Sequence, residues 1–475
     1  MAIENTHFGS DKINSILKKS KKIFFIGIGG VSMSSLAHIT ARNGFEVAGS
    51  DRNETDITKK LSDAGIRVFT GHSAENVRDV DAVVYTVAIG ADNPEYTEAK
   101  RLGIPCISRA DYLGAVMTAW DNRVGIAGMH GKSTCTGMCA SIYMRGADPT
   151  VLSGAEFPEM GGFYRIGSDV NFIFEACEYM DSFLDFSPTT AVILNIEPEH
   201  LDYFSGLSAI QASFAKFVSL TGESGRVVYN LHDENITPVI EGLNVGKYGF
   251  GIECDAEFCA KNIGEKNGRP TFDIYRKGEF ICHIELKVPG AHNVMNALAS
   301  ASVALLDGIP VDAVRNGLNS FGGIKRRMEY KGRLNGAELY DDYGHHPTEL
   351  RGTIAGARRI AGDKRLVIAF QPHTYSRTKA LFEDFAHAFD EADTVLLAPI
   401  YAARESDDLG VSSKKLAEAI GSKAKAAESL EELAEMLIKE TDENTLAVIM
   451  GAGNIDTIFD IKEIKNAKQD QRREN

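Results

Sequence analysis

The residue types best suited to chemistry stand in a glycine-rich stretch, Gly125-Ile-Ala-Gly128-Met-His-Gly131-Lys132-Ser133-Thr134. Glycines allow a tight turn whose N–H groups surround a phosphate, lysine supplies a mobile positive charge, and a serine hydroxyl can ligate Mg²⁺. The strict pattern has glycine where this chain has Ile126. Because a strand-like run precedes the stretch and a helical run follows it, we predict a nucleoside triphosphate site rather than an ordinary glycine turn.

Acidic residues follow two later strand-like runs. Glu175 and Glu178 lie at the end of FIFEACE, and Glu197, Glu199 and His200 lie in LNIEPEH. The carboxyl ends of parallel strands are where ligands gather, and Mg²⁺ prefers hard oxygen ligands with several waters. Either cluster alone would be explained as a solvated acidic loop. Beside a phosphate loop, they predict metal ligation.

A second glycine turn, Gly27-Ile-Gly29-Gly30-Val-Ser32, follows the run KKIFFI near the amino end. It approximates the dinucleotide fingerprint, but Ser32 replaces the third glycine. Asp51 follows the next strand-like run, where a carboxylate could bind a ribose hydroxyl. Such a turn accommodates a diphosphate of any kind, so NAD, FAD and a UDP-sugar all remain open.

Two dense polar clusters end strand-like runs in the last third of the chain. One is Asp341-Asp342-Tyr343-Gly344-His345-His346-Pro347, and the other is Gln371-Pro-His373-Thr-Tyr375-Ser-Arg377. Lys325-Arg326-Arg327 precedes both. A lone histidine or a basic run usually has no special role, but two clusters at successive strand ends predict a functional site.

The elements that position these residues alternate short apolar runs with helical stretches, which predicts mostly parallel sheets with crossover helices. This alternation begins anew near Arg123 and again near Met328. We therefore expect an α/β protein of three units, joined near residues 117–122 and 322–328. A chain of 475 residues is long enough for two or three domains.

The composition excludes several classes of protein. A net charge of −15 disfavours a nucleic-acid partner. No apolar run approaches the roughly 20 residues of a membrane helix, and the amino end lacks the features of a secretory signal. The seven cysteines have no zinc-site spacing and are expected to be reduced thiols. We therefore expect a cytoplasmic protein without membrane insertion.

Motifs from Lys22 to Gly453 resemble the Mur ligase family, in particular its MurC group, the UDP-N-acetylmuramate–L-alanine ligases. The motifs are GIGGVSMSSLA, GIAGMHGKST, EACEYMDSFL, NIEPEHLDYF, VPGAHNVMNAL, IKRRMEY, DDYGHHPTE and FQPHTYSRT. The resemblance implies a Rossmann-like UDP-substrate-binding domain at 1–117, a central P-loop ATPase domain with a mostly parallel sheet at 118–324, and a Rossmann-like domain at 325–475 that closes over the active site. Departures from the family pattern include Met129, Ala291 and Thr374.

The resemblance also implies residue roles. Residues for ATP would be Gly128, His130, Gly131, Lys132, Ser133, Thr134, His292, Asn293, Asn296, Arg327 and Asp342. Residues for the UDP-substrate would be Gly27, Gly29, Gly30, Ser32, Ser50, Asp51, His72, Tyr343, His345 and Arg377. Mg²⁺ would be held by Ser133, Glu175 and His200. Lys132, Arg327 and His345 would act in catalysis. The attacking amine must be neutral, so a base is expected, and His345 is the candidate; a binding or orienting hydrogen bond is the alternative role of this histidine.

The expected reaction is ATP-dependent ligation of L-alanine to the lactyl carboxylate of UDP-N-acetylmuramate through an acyl phosphate. The partners would be these three small molecules, in a monomer or homodimer. One alternative is the related ligase that adds cell-wall tripeptide to the same nucleotide sugar. A remote alternative is an NAD-dependent oxidoreductase, which leaves the Lys132 loop and the carboxyl-terminal clusters unexplained. The strictness for L-alanine over glycine or L-serine stays open.

Overall fold

The computed structural model describes residues 3, 5–200, 203–266, 268–403, 405, 408–462 and 464–465. Contacts divide the chain into two compact units. Unit 1 comprises Met1–Asn262, Asp273–Ile284 and Met295–Asn319, and unit 2 comprises Ile263–Phe272, Glu285–Val294 and Ser320–Asn475. The described elements form three sheets with accompanying helices, which confirms the predicted α/β class. None of the described helices combines the length and the apolar composition that a membrane span requires.

The first sheet has five parallel strands in the order β3-β2-β1-β4-β5. Its strands are β1 (Lys22–Ile26), β2 (Glu46–Asp51), β3 (Arg67–Thr70), β4 (Ala82–Tyr85) and β5 (Cys106–Ser108). Its helices are α1 (Ser10–Leu17), α2 (Val31–Arg42), α3 (Asp56–Asp63), α4 (Pro94–Leu102) and α5 (Arg109–Val116). Phe24 and Phe25 of β1 enter separate cores because successive side chains point to opposite faces. This is the Rossmann-like arrangement that the sequence predicts.

The second sheet has ten strands in the order β15-β14-β13-β12-β11-β10-β6-β9-β7-β8. Its strands are β6 (Asn122–Ala127), β7 (Thr150–Phe157), β8 (Gly162–Arg165), β9 (Asn171–Glu175), β10 (Thr190–Ile193), β11 (Arg226–Asn230), β12 (Gly246–Ile252), β13 (Phe258–Lys266), β14 (Arg269–Arg276) and β15 (Glu279–Glu285). Its helices are α6 (Lys132–Gly146), α7 (Leu207–Ser219), α8 (Thr237–Ile240), α9 (His292–Leu306) and α10 (Val311–Ser320). The pairs among β9, β6, β10, β11 and β12 are parallel, as predicted.

The third sheet has six strands in the order β16-β17-β21-β18-β19-β20, with only β16 antiparallel to its neighbour. Its strands are β16 (Glu329–Leu334), β17 (Ala337–Asp342), β18 (Arg365–Phe370), β19 (Thr394–Leu397), β20 (Ala424–Ala426) and β21 (Thr445–Met450). Its helices are α11 (Pro347–Ala361), α12 (Tyr375–Ala380), α13 (Phe382–Ala386), α14 (Ser413–Ile420) and α15 (Leu430–Glu440). Its layout is the second Rossmann-like arrangement predicted. The division into three domains at 117 and 324 stays a prediction.

Candidate active site

The glycine-rich loop lies between β6 and α6 in unit 1, at the carboxyl end of the second sheet. Gly128 and Gly131 have φ values of 142° and 84°, a backbone region that other residues rarely adopt. A Cβ added to Gly131 would lie 2.7 Å from the Asn296 side-chain oxygen. Gly131 also offers no side chain to cap α6, so the first amides of that helix can bind an anion.

Hydrogen bonds hold the loop to Asn195, which follows β10. The Asn195 side chain accepts a hydrogen bond from the His130 N–H at 2.8 Å and donates one to the His130 carbonyl at 3.0 Å. The Met129 N–H donates to the Asn195 carbonyl at 3.3 Å. The loop is therefore shaped by protein contacts, and sequence reasoning missed this residue although it lies inside a quoted motif.

Lys132 is paired with Glu178, a carboxylate that is only 1% exposed. The Lys132 ammonium donates to both Glu178 oxygens at 3.0 and 3.2 Å, and to the carbonyls of Gly128 and Met129 at 2.5 and 3.2 Å. Burial alone would lower the pKa of Lys132, but the Glu178 charge outweighs burial and raises it. Burial would likewise raise the pKa of Glu178, yet the Lys132 charge lowers it. Both groups are therefore charged at neutral pH.

Three more acidic groups surround the loop. The Ser133 hydroxyl donates to Glu175 at 3.0 Å, and Glu175 also accepts from the Gly154 N–H at 2.5 Å. The His130 ring lies 3.3 Å from Glu199 and 3.7 Å from Glu197. His200 has a φ of 53° and pairs with Glu178 at 3.2 Å. The acids predicted at strand ends are thus brought to the phosphate loop.

Four further residues expected to bind ATP are Thr134, His292, Asn293 and Asn296. Thr134 and Asn296 lie in unit 1, where Asn296 packs on Gly131. His292 and Asn293 belong to unit 2, and the buried Asn293 amide donates to the Pro289 carbonyl at 2.6 Å. Helix α9 starts at His292 and also carries Asn293 and Asn296, whereas Thr134 lies in the first turn of α6.

The amino-terminal turn connects β1 to α2, as predicted, with Gly27 at a φ of 82°. The Gly29 N–H donates to an Asp51 oxygen at 2.9 Å, and a Cβ on Gly29 would lie 2.8 Å from that oxygen. Gly30 precedes α2, and Ser32 lies in its first turn. Asp51 thus contacts the turn itself, in addition to any role toward a ligand.

Glu95 is a buried carboxylate that contacts Ser50 and His72, two of the residues expected to bind the UDP-substrate. Glu95 is 0% exposed, accepts from Ser50 at 2.5 Å and pairs with the His72 ring at 2.7 Å. Ser50 lies 3.0 Å from the same histidine nitrogen. Sequence reasoning missed Glu95, because it lies in the first turn of α4 and no motif connects it to β2.

In unit 2 the cluster after β17 surrounds Asp342, which is 4% exposed. Its oxygens accept from the Met328 N–H at 2.9 Å and the Gly344 N–H at 2.8 Å, and burial raises its pKa. His345 lies 3.4 Å from Glu349, and burial lowers its pKa to about 4 despite that carboxylate. His345 is therefore neutral at physiological pH.

The cluster after β18 contributes the ring of His373, which lies near the ring of His345. His373 stacks on Tyr401 with ring centroids 5.6 Å apart, and lies 6.1 Å from the His345 ring. Arg377 approaches His373 at 3.5 Å, and the Arg327 guanidinium lies 5.5 Å from the centre of the Tyr343 ring. Unit 2 therefore brings Tyr343 and His345, after β17, close to His373 and Arg377, after β18.

Profiles of one protein family match the chain in three places. They are the Mur ligase family catalytic domain over residues 22–121, the Mur ligase middle domain over 126–304, and the Mur ligase glutamate ligase domain over 326–453. Together the three matches cover most of the sequence in the order in which the three sheets occur.

Individual proteins are similar to the chain over nearly its whole length. UDP-N-acetylmuramate–L-alanine ligase from Clostridium novyi is 43% identical over 93% of this chain and 97% of its own. The enzyme of the same name from Caldanaerobacter subterraneus is 44% identical over 92% and 96%. The crystal structure of UDP-N-acetylmuramate–alanine ligase from Thermotoga maritima has a TM-score of 0.77 at 28% identity, covering 96% of this chain and 100% of that one. A murein peptide ligase from Psychrobacter arcticus shares the fold, with a TM-score of 0.70 at 23% identity over 94% of this chain and 98% of its own.

Proposed function

The chain belongs to the Mur ligase family, and we propose that it joins L-alanine to the lactyl carboxylate of UDP-N-acetylmuramate while converting ATP to ADP and phosphate. The observation that carries the proposal is the charged Lys132 in a preformed phosphate loop. Relatives more than 40% identical over more than 90% of the chain are named for this reaction. Peptidoglycan precursor synthesis is the process that such a ligase serves.

The first step transfers the γ-phosphoryl group of ATP to the lactyl carboxylate, which yields an acyl phosphate and ADP. A carboxylate is a poor electrophile, whereas an acyl phosphate carries a good leaving group. Lys132 and Arg327 neutralise the negative charge that develops on the transferred group. Glu178 keeps Lys132 charged and aimed at the loop before ATP arrives.

Mg²⁺ fits the donors beside the loop, because Ser133 and Glu175 present hard oxygens within 3.0 Å of each other. Ser133, Glu175 and His200 would hold the ion. When bound, Mg²⁺ would neutralise charge on the ATP phosphates. Within the described ranges no group of three or more His, Cys, Asp or Glu side chains is arranged to hold a metal alone.

In the second step the neutral amine of L-alanine attacks the acyl carbon, and the tetrahedral intermediate expels phosphate. His345 was the candidate base, but a histidine with a pKa of about 4 accepts a proton weakly at neutral pH. Its position beside Tyr343 and His373 suits the alternative role, orienting the substrate by hydrogen bonding. We therefore assign orientation to His345, with Tyr343 and Arg377 as its partners toward the muramoyl group and the amino acid.

The UDP group would bind the amino-terminal turn. The diphosphate would lie against Gly27, Gly29, Gly30 and Ser32. The uridine would lie near Ser50, Asp51 and His72, and Glu95 holds Ser50 and His72 in place. We propose three domains, 1–117, 118–324 and 325–475, with the last closing over the substrates to exclude water from the acyl phosphate. We also propose a monomer or homodimer in the cytoplasm, where the seven free thiols would stay reduced.

The experiment is phosphate release measured with ATP, Mg²⁺, UDP-N-acetylmuramate and L-alanine, glycine, L-serine or cell-wall tripeptide in turn. We expect strong release with L-alanine, background without the nucleotide sugar, and loss in Lys132→Ala. Release with tripeptide but not with L-alanine would identify the related ligase instead. A change in nicotinamide absorbance without ADP formation would identify an oxidoreductase. The same series on Met129→Thr, Ala291→Arg and Thr374→Arg measures whether these departures from the family pattern alter substrate preference.

A further inference from the structure

The segment before β16 carries the proposed catalytic Arg327 in a strained backbone. Arg326 and Met328, on either side of it, have φ values of 57° and 45°. Such values are uncommon outside glycine and persist only where surrounding contacts impose them. The contacts that impose this conformation therefore determine where Arg327 lies.

Backbone contacts fix the segment to the end of β17. The Tyr343 N–H donates to the Arg326 carbonyl at 2.7 Å, and the Met328 N–H donates to Asp342 at 2.9 Å. The Arg326 N–H donates to Glu329 at 3.0 Å. Tyr343 and Asp342 are both proposed site residues, so the segment and the site share one framework.

The Arg326 side chain adds a second set of contacts. Its guanidinium donates to the Gly451 carbonyl at 2.5 Å, lies 3.4 Å from Asp456, and has its carbon 5.1 Å from the centre of the Tyr343 ring. The Arg327 guanidinium lies 5.5 Å from the same ring. The two arginines thus flank one aromatic side chain, and moving Arg326 must disturb both Tyr343 and Arg327.

Asp341, a carboxylate that is 1% exposed, lies next to the Arg326 side chain. One Asp341 oxygen lies 3.6 Å from the Arg326 Nε, and neither atom has a hydrogen-bond partner within the described residues. That separation is too long for a hydrogen bond, so the attraction between them is one of charge. The other Asp341 oxygen lies 3.9 Å from the Lys331 ammonium.

We propose that Asp341 is a positioning residue for the ligation: its buried negative charge holds Arg326, and through Arg326 it holds Arg327 and Tyr343 in place. This inference rests on the proposed function, since Arg327 and Tyr343 have their roles there. Asp341 itself contacts no substrate. Its charge can act in this way only when the carboxylate is ionised.

Ionisation of Asp341 makes this effect depend on pH. Burial raises its pKa to about 7, although Arg326 and Lys331 oppose the rise and Asp456 and Glu329 add to it. The folded protein therefore holds a proton on Asp341 well above the ordinary value of 3.8. As the pH rises through about 7, ionisation of Asp341 in the folded protein strengthens its attraction for Arg326. Because Asp341 of the unfolded chain ionises near pH 4 while the folded protein keeps the proton, folding stability falls as the pH rises from about 4 to 7.

The test compares Asp341→Asn with wild type and with Glu338→Gln, a control on the same strand that pairs with Lys364. At pH 8 we expect Asp341→Asn to lower kcat about 10- to 100-fold, with a Tm equal to or above that of wild type. We expect the kcat of wild type to rise as the pH passes through about 7, and we expect this rise to be absent in Asp341→Asn. Unchanged kcat, or kcat and Tm that fall together, would overturn the proposal.

Hydrogen–deuterium exchange of the segment 324–330 separates this proposal from the proposed function, because it needs no substrate. We expect exchange about tenfold faster in Asp341→Asn than in wild type or Glu338→Gln. Unchanged exchange would refute the hold on Arg326 whatever the enzyme's activity. An inactive wild type with the expected exchange pattern would instead refute the ligation, and with it the role of Asp341 in that reaction.

Discussion

The pair between Lys132 and Glu178 predicts how a single substitution changes both stability and nucleotide binding. In Glu178→Gln the side chain keeps its shape, but the buried Lys132 ammonium loses the charge that it contacts at 3.0 Å. At an effective dielectric constant of 20 the attraction at this separation is about 5 kcal/mol. Removing one partner of a buried pair typically costs about 3–5 kcal/mol. We therefore expect a clearly lower Tm for the variant without nucleotide.

ATP should reverse much of this loss, because its phosphates supply the missing negative charge. In thermal unfolding with and without a non-hydrolysable ATP analogue, we expect the difference in Tm between variant and wild type to shrink when the analogue is present. Glu199→Gln is the matched control, since Glu199 faces His130 and its loss leaves the Lys132 pair intact. A Tm difference that is unchanged or larger with the analogue would refute the reasoning.

Three further predictions concern the glycine-rich loop at Gly131, the buried Glu95 beside His72, and His345. Gly131→Ala should weaken the binding of an ATP analogue, measured by calorimetry, because the added Cβ would lie 2.7 Å from the Asn296 side chain and the backbone φ is 84°. Gly352→Ala is the control and should bind the analogue normally, because the space around Gly352 is open. Glu95→Gln should weaken UDP binding about tenfold in the same assay, because it removes the charge beside His72, while leaving ATP-analogue affinity unchanged. His345→Asn should raise KM for L-alanine but leave the pH profile of kcat unchanged between pH 6 and 9, because a pKa of about 4 keeps His345 neutral in this range. If the variant instead lost an ascending limb of the profile in this range, His345 would be the base after all.

The parts of the site that sequence could predict are those made by neighbouring residues. The turn from Gly128 to Ser133 is one short stretch of chain, so spacing alone predicts its position after a strand and before a helix. The acids after β9 and β10 were predicted because the carboxyl ends of neighbouring parallel strands share one edge of a sheet. The same reasoning predicted the clusters after β17 and β18, and the α/β class follows from the rhythm of apolar runs.

Partners set by long-range packing could not be predicted. FIFEACE contains two glutamates, and its spacing does not decide that Glu178, after β9, meets Lys132 while Glu175, at the end of β9, meets Ser133. Glu95 reaches Ser50 from a helix 45 residues away, a contact that no local pattern encodes. Asp341 and Asp342 are adjacent in sequence, but they point to opposite faces of β17 and so have different partners.

We propose that the loop around Lys132 holds an ATP whose γ-phosphoryl group is passed to a carboxylate. The most direct measurement uses UDP-N-acetylmuramate labelled with ¹⁸O in the lactyl carboxylate, together with ATP, Mg²⁺ and L-alanine. An acyl phosphate loses one carboxylate oxygen to the departing phosphate, so we predict one ¹⁸O atom in each phosphate released, detected by mass spectrometry. Released phosphate without ¹⁸O would contradict the claim, because the carboxylate would not have received the phosphoryl group.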